Sequence, residues 1–406
     1  MIIYDSLLDR INQYLLIAAF FFLPLTVVGN NIAIWLITII WLLTGNYKTK
    51  FDQIKNNSLA TASILFFLAH VVAMLWTENI SWGLEILRKM LPFLLVLPIF
   101  LTVAKLKNSS YYISAFLLAI CISVSLSYLI WLGIIEPFGS ASVSMAGDIN
   151  PTPLMSHISY NPFLAFAFYL VANKLIFGNK IPFFERILYT FFAFTMTINM
   201  FITAGRAGQV MFFAALIILT FQYFKDAKVK AIIISLVLTI FISIVAYSFS
   251  DIFKVRVDST VTNVMSYNDQ KLTSIGYRIN FLINSFELVK SEPFFGVGTG
   301  DFPIEYKKIS ILNKNSEFPS PTNPHNMYTL VLVQLGFVGL ISMLSIFYYQ
   351  IKLSRQSSNP FIRDVGITLP LLFLVIMFSD SYLLGHYTTL LYVFFSSFLY
   401  KNFEKY

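Results

Sequence analysis

His325, Asn326, Arg206, Arg278 and Arg88 combine a reactive side-chain type with a position at which chemistry is possible. His325 and Asn326 follow Pro324 where a long polar stretch gives way to an apolar run, so a side chain there can face both water and lipid headgroups. Imidazole titrates near neutrality and can take up or release a proton at such a boundary. Arg206 lies in Thr-Ala-Gly-Arg-Ala-Gly-Gln, residues 203–209, a turn between two apolar runs. A charge at that depth is costly unless it is paired or hydrated. Two readings follow: an arginine that snorkels its head to the surface, or one that meets a lipid headgroup. Gly205 and Gly208 favour the second, because small residues let a headgroup approach the backbone. Arg88 and Lys89 are weaker candidates, since Glu78 and Glu85 balance their charge.

The other histidines weigh less. His70 sits mid-helix and reads as a packed core residue, and His386 lies in a short turn. His157 follows the loop 147–153 and is a supporting candidate. The spacings H-x-x-x-H and H-E-x-x-H are missing, which argues against a zinc site. Cys121 is the one cysteine, so neither an intrachain disulfide nor a cysteine metal site is expected. There is no G-x-S-x-G, P-loop or other nucleotide motif.

The chain that must position these residues has 406 residues, 57% hydrophobic and 12% charged, with 42 Phe. Soluble domains carry about 25% charged residues, so the composition indicates a membrane protein. A net charge of +8 hints at nucleic acid, but most Lys and Arg sit in short loops between apolar segments. That placement is a topology signal, and no nucleic-acid partner is expected. Residues 1–13 carry both signs of charge, and no small-residue cleavage site follows the first apolar run. The run therefore reads as a transmembrane helix and not as a cleaved signal.

The expected fold is all-α and polytopic, with about twelve transmembrane helices, a bilayer core needing roughly 20 mainly apolar residues per helix. The candidate spans are 14–29, 31–44, 58–76, 90–104, 110–135, 157–173, 187–204, 207–224, 231–249, 326–348, 366–384 and 388–400. The chain divides into an N-terminal transmembrane bundle, 1–249, a large polar loop with the catalytic elements, 250–325, and C-terminal transmembrane helices, 326–406. Close junctions at 29–30, 205–206 and 385–387 predict helical hairpins. Basic residues crowd alternate loops, from Arg10, Lys48 and Lys50 through Lys225, Lys228 and Lys230 to Lys352, Arg355 and Lys401. The short loops of the other side hold only Arg88, Lys89 and Arg206. The positive-inside rule then puts both termini inside and the long loop outside.

Within that loop, 273–290 has helical spacing, with Ile275, Ile279, Leu282, Ile283, Phe286 and Val289 as one apolar stripe. Such a helix should lie on the membrane surface or on the bundle. Arg278 is on its first turns, and Ser291-Glu292-Pro293 ends it. Gly296, Gly298 and Gly300 read as a permissive turn more than as a phosphate cradle, because no strand precedes them. Residues 302–309 suit another short helix, and Pro319, Pro321 and Pro324 predict an extended approach to His325.

With this organisation and with His325-Asn326-x9-Gly336-x-x-Gly339, the sequence resembles the O-antigen ligase family. That family shares a superfamily with O-antigen polymerases and some protein-targeted oligosaccharyltransferases. The stretch from Arg278 through Glu292-Pro293-Phe294-Phe295-Gly296-Val297-Gly298 to Phe302 is also similar to the family's loop. The resemblance spans 203–339, and the N-terminal helices match in architecture only. Gln334 departs from the pattern, in which an acidic residue often precedes the glycine, so no carboxylate role is assigned there.

The resemblance implies a GT-C-like glycosyltransferase of the bacterial inner membrane, working on its periplasmic face. Polysaccharide on undecaprenyl diphosphate would pass to a sugar hydroxyl of lipid A–core. In that reaction Arg206 and Arg278 would stabilise the departing diphosphate, with Arg88 and Asn326 as further substrate-binding candidates. His325 would be the general base, and a single displacement would invert the anomeric centre. Neither a cofactor nor a metal is required. The implied partners are the lipid-linked donor, the lipid A–core acceptor and membrane lipids.

Three alternatives stay open. A polymerase would use the same donor with a growing lipid-linked chain as acceptor, though the His-Asn-x9-Gly pattern favours the ligase. A protein O-oligosaccharyltransferase is often longer, with more polar outer sequence. A non-enzymatic transporter of lipid-linked sugars would carry ionisable residues along mid-membrane helices, and internal repeats; few such charges and no obvious repeat are present.

Overall fold

The computed structural model describes residues 2–143, 149–178, 180–265, 273–313 and 320–402. The first third holds α1 (Ile2–Phe22), α2 (Val27–Leu43), α3 (Tyr47–Lys55), α4 (Ser58–Ala73), α5 (Ile80–Leu91), α6 (Leu97–Val103) and α7 (Ser109–Trp131). A short antiparallel ribbon, β1 (Ser142–Val143) with β2 (Ile149–Asn150), leads to α8 (His157–Phe177), α9 (Phe183–Ile202), α10 (Arg206–Tyr223) and α11 (Lys228–Phe249). The polar region contains α12 (Asp251–Met265), α13 (Ser274–Ser291) and α14 (Phe302–Leu312), and the chain closes with α15 (Met327–Arg355), α16 (Pro360–Ile376) and α17 (His386–Leu399).

This is an all-α polytopic membrane architecture. Among the described residues seven helical stretches are long and apolar enough to cross a bilayer, and an eighth is added if α2 and α3, bent by 119°, count as one span. The remaining expected segments are helical but shorter or less apolar. Several boundaries differ from the sequence reading. The first hairpin turns at 23–26, where the Thr26 hydroxyl accepts from the Gly29 amide at 3.4 Å, so Gly29 lies inside α2. The segment 90–104 is the second half of a longer stretch, Ile80–Val103, with a π turn at Pro92–Val96. The segment 366–384 ends as a helix at Ile376, and 377–385 is irregular. Residues 251–265, expected as loop, are helical. Pro319, 147 and 148 lie outside the described residues.

The core explains why α17 can be short. Its residues from Thr388 to Leu399 are buried, as expected for a helix that is apolar all round. Phe395 stacks edge-on against Phe20, Phe116 and Phe166, with centroids 5.3, 5.1 and 4.8 Å apart. At the opposite extreme, α11 turns Ile233, Val237, Phe241 and Ile244 outward, the surface of a helix that faces lipid.

A smaller core ties the polar region to the bundle. Phe281 and Leu288 of α13, Phe302 and Tyr306 of α14, and Leu330 and Val333 of α15 pack together. The buried face of α13 is therefore 280, 281, 284, 285, 288 and 289, so Val289 of the expected stripe is buried while Leu282, Ile283 and Phe286 point outward. The apolar residues follow both faces, one against α15 and one free to meet lipid.

Gly336 breaks α15. Its φ of 62° and ψ of −161° fall in a region that is essentially glycine-only. The break frees main-chain groups, and the glycine-rich loop satisfies them. Val297 and Gly298 amides donate to the carbonyls of Val333 and Gln334 at 2.8 and 3.1 Å. Phe337 and Val338 amides donate to the carbonyls of Pro293 and Phe294 at 2.8 and 3.3 Å. The Gln334 side chain donates to the Thr299 carbonyl, and Asp301 accepts from the Glu78 and Asn79 amides at 2.8 and 2.7 Å. Loop, α15 and the start of α5 are thus locked together.

Candidate active site

His325 is placed by its own backbone. It adopts φ 51°, a left-handed conformation that costs a non-glycine residue about 1–3 kcal/mol. Its neighbours compensate. The Asn323 side chain accepts from the His325 amide at 2.8 Å. Asn326 then caps α15, its Oδ1 accepting from the Thr329 amide at 3.0 Å while Nδ2 donates to the Phe378 carbonyl at 3.2 Å. The Met327 amide donates to the Met377 carbonyl at 2.9 Å. Asn326, a sequence candidate for substrate binding, is thereby engaged in fixing the helix start and joining it to the 377–385 segment.

That segment supplies a residue that the sequence reading missed. Asp380 Oδ1 lies 3.2 Å from His325 Nδ1 and accepts from the Ser381 amide at 2.7 Å. Burial would raise the Asp380 pKa. The His325 hydrogen bond and charge, the Ser381 amide and the Arg278 charge outweigh burial and hold the carboxyl below its ordinary 3.8. An ionised carboxylate only accepts, so Nδ1 carries the proton, and whenever the ring is neutral its lone pair is on Nε2. Phe281 flanks the imidazole, with ring centroids 6.2 Å apart and 25° between planes.

Asp380 also lines a cleft of about 240 Å³ with His157, Arg206, Arg256, Arg278, Ser379 and Tyr382. Three guanidinium-bearing residues from α10, α12 and α13 converge here and repel one another. Among the described residues none of them forms a salt bridge with a carboxylate. Arg206 Nη1 donates to Thr260 Oγ1 at 3.3 Å, and the Thr260 hydroxyl donates to the Arg256 carbonyl at 2.7 Å, which couples α10 to α12. The first turn of α10 lines the cleft without a side-chain cap, so its positive end adds to the field. Such a concentration of unpaired cations suits a ligand with several negative charges.

The glycines beside Arg206 line the cleft and also serve the packing of two helices. A Cβ on Gly205 would lie 2.4 Å from Asn161 Cγ, and one on Gly208 would lie 2.2 Å from Asn161 Cβ. They let α10 approach α8 closely, as small residues do between membrane helices. The Asn161 amide donates to Thr203 Oγ1 at 2.9 Å and fixes the turn that presents Arg206.

The remaining candidates sort by position. Arg88 forms a two-point ion pair with Glu85 at 2.7 and 2.8 Å and does not line this cleft. His157 lines it, and its Nδ1 accepts from the Asn150 amide at 2.8 Å. His70 is buried beside Thr299, whose hydroxyl donates to the His70 carbonyl at 2.7 Å. His386 starts α17. Gly296 and Gly298, at φ 69° and 118°, serve the junction with α15. Asp380 and Arg256 escaped the sequence reading. The signal for Asp380 was Ser-Asp-Ser, 379–381, a turn-forming trio inside an apolar run. Arg256 had none beyond its place in a polar region.

No curated protein matches the chain. A family model described as O-antigen ligase matches residues 191–344, which hold Arg206, Arg256, Arg278, His325 and Gly336. The match takes in the three arginines of the cleft, His325 and the helix break, so this part of the chain is similar to the O-antigen ligase family.

Proposed function

We propose that the protein transfers a polysaccharide from undecaprenyl diphosphate to a sugar hydroxyl of lipid A–core on the periplasmic face of the inner membrane. The observation that carries this reading is the cluster of unpaired Arg206, Arg256 and Arg278 beside the His325–Asp380 pair. The acceptor oxygen attacks the anomeric carbon, and His325 Nε2 takes its proton. The bond from that carbon to the diphosphate breaks, and the arginines receive the charge that leaves with it. Removing one such donor from a preorganised site costs roughly 10²–10³-fold in turnover. One displacement inverts the anomeric centre, and the reaction is written without a metal or cofactor.

Asp380 holds the imidazole in the tautomer that leaves Nε2 free and stabilises the imidazolium that forms. Tyr382 and Ser379 complete the wall. The test is the lipopolysaccharide of a deletion strain complemented with wild type or with His325→Ala. The wild-type gene restores polymer on lipid A–core. The variant leaves polymer on undecaprenyl diphosphate over bare core, since general-base catalysis contributes about 10²–10⁴-fold. Restoration by His325→Ala rejects the base assignment. Core capped with a single repeat in the deletion strain makes the enzyme a polymerase.

A further inference from the structure

His157 lines the arginine cleft, yet the transfer described above gives it no part. It opens α8 against the turn that carries Arg206: its carbonyl lies 2.6 Å from where a Cβ on Gly205 would stand. Its Nδ1 is engaged by the Asn150 side chain at 2.8 Å. Nε2 makes no hydrogen bond among the described residues, and it is not one of the unpartnered polar atoms sealed from solvent. The residue is half-buried, so a ligand in the cleft can reach Nε2.

The bonds around Asn150 fix which ring nitrogen of His157 carries the proton. The Ala204 amide can only donate, and Asn150 Oδ1 accepts from it at 3.2 Å. The other end of the Asn150 side chain, Nδ2, faces His157 and can only donate. Nδ1 must therefore accept, and the proton of the neutral ring sits on Nε2. A second proton would have to sit on Nδ1, against the Asn150 N–H, and the charges of Arg206 and Arg256 oppose it. Arg278 shares the cleft, and Asp380, the one carboxylate among the lining residues, is engaged by His325. His325 is arranged in reverse, with Nδ1 donating to Asp380 and the lone pair of the neutral ring on Nε2. The two histidines are thus set in opposite tautomers, one to take a proton and one to donate a hydrogen bond.

We infer that His157 is a fourth donor to the leaving diphosphate, binding one of its oxygens through Nε2–H beside the three arginines. This rests on the glycosyl-transfer reading above. A neutral imidazole N–H is far too weak an acid to release its proton, so none moves here. When the bond from the anomeric carbon breaks, its electron pair passes to the diphosphate oxygen. The hydrogen bond from Nε2 strengthens as that charge grows, and the proton of the acceptor hydroxyl goes separately to His325. The helices α8 and α10 both begin at the cleft without a side-chain cap, so their positive ends add to the same field.

Two amides at position 157 separate the donor from the scaffold. The side chain of His157→Gln extends to where Nε2 stands, and that of His157→Asn only to where Nδ1 meets Asn150. Purified full-length protein in detergent is titrated calorimetrically with undecaprenyl diphosphate, which carries the leaving group without a glycan and requires no turnover. His157→Asn and His157→Phe bind it about tenfold more weakly than wild type, the loss of one hydrogen bond to an anion. His157→Gln keeps most of the affinity. Melting without the lipid runs the other way, with His157→Gln below His157→Asn, because only the shorter amide keeps a partner for Asn150. A structural role makes affinity follow melting temperature, so a His157→Asn that binds better than His157→Gln overturns the assignment. Equal loss in all three variants, or wild-type affinity in His157→Asn and His157→Phe, overturns it as well. A wild type that does not bind undecaprenyl diphosphate rejects the diphosphate reading of the cleft itself, and the fourth donor falls with it.

Discussion

His325 is held in a conformation that its residue type resists, and each contact that enforces it comes from a residue with its own structural duty. Asn323, Asn326 and Asp380 fix the amide, the helix start and the imidazole in turn. The titration of Asp380 provides a check on this arrangement. Its pKa is lowered in the folded protein, so its ionised form adds stability at neutral pH that is lost as pH falls through the lowered value. Asp380→Asn abolishes that contribution. In detergent, wild type melts above the variant at pH 7, and the gap closes as pH falls below the ordinary 3.8. A gap independent of pH means that the carboxylate is not stabilised by folding. His325 and Arg206 were legible in the sequence because titratable or charged groups are conspicuous in a chain with few of them. Asp380 was hidden by the apolar run around it, which hydropathy reads as continuous helix. Arg256 was hidden because cations in a long loop carry no topology signal.

At the level of elements, the motif His325-Asn326-x9-Gly336 is a description of α15: a cap, two and a half turns, and a break. The spacing was visible in the sequence, but the break was not, since a glycine inside an apolar run most simply continues a helix. The partner of the break, 293–298, was read as a permissive turn, and its positive-φ glycines fit that reading. Gly336→Ala tests the junction. A Cβ there would lie 2.3 Å from the backbone of Phe294, in a φ/ψ region closed to alanine. The variant should lose about 2–4 kcal/mol of stability, read as a lower melting temperature in detergent and as lost transfer. Wild-type melting with wild-type transfer would show that the break is dispensable. The stripe on α13 illustrates another limit. Periodicity detects an amphipathic helix, but where apolar residues occupy two faces it does not say which one the protein buries.

Hydropathy made the whole-molecule class legible, together with most of the helices. It did not reveal where they bend, because bends depend on which neighbours satisfy the freed main-chain groups. Orientation rests on the distribution of Lys and Arg and is open to a direct test. In a Cys121→Ser background, Ser320→Cys, at an exposed position within the proline-rich approach to His325, should react with a membrane-impermeant maleimide in intact cells whose outer membrane has been made permeable. Labelling only after lysis would put the cleft on the cytoplasmic side. The junction between 293–298 and 333–338 also bears on how such a chain can be rebuilt. Because it is made of main-chain bonds, side chains along it can diverge while the pairing persists, except at Gly296, Gly298 and Gly336, whose backbone and close approach exclude a Cβ. Neither half can be transplanted alone, however, since a foreign loop would have to meet the register of this helix break. A graft intended to change which glycan is admitted must carry both pieces, distant in the chain, as a single cartridge.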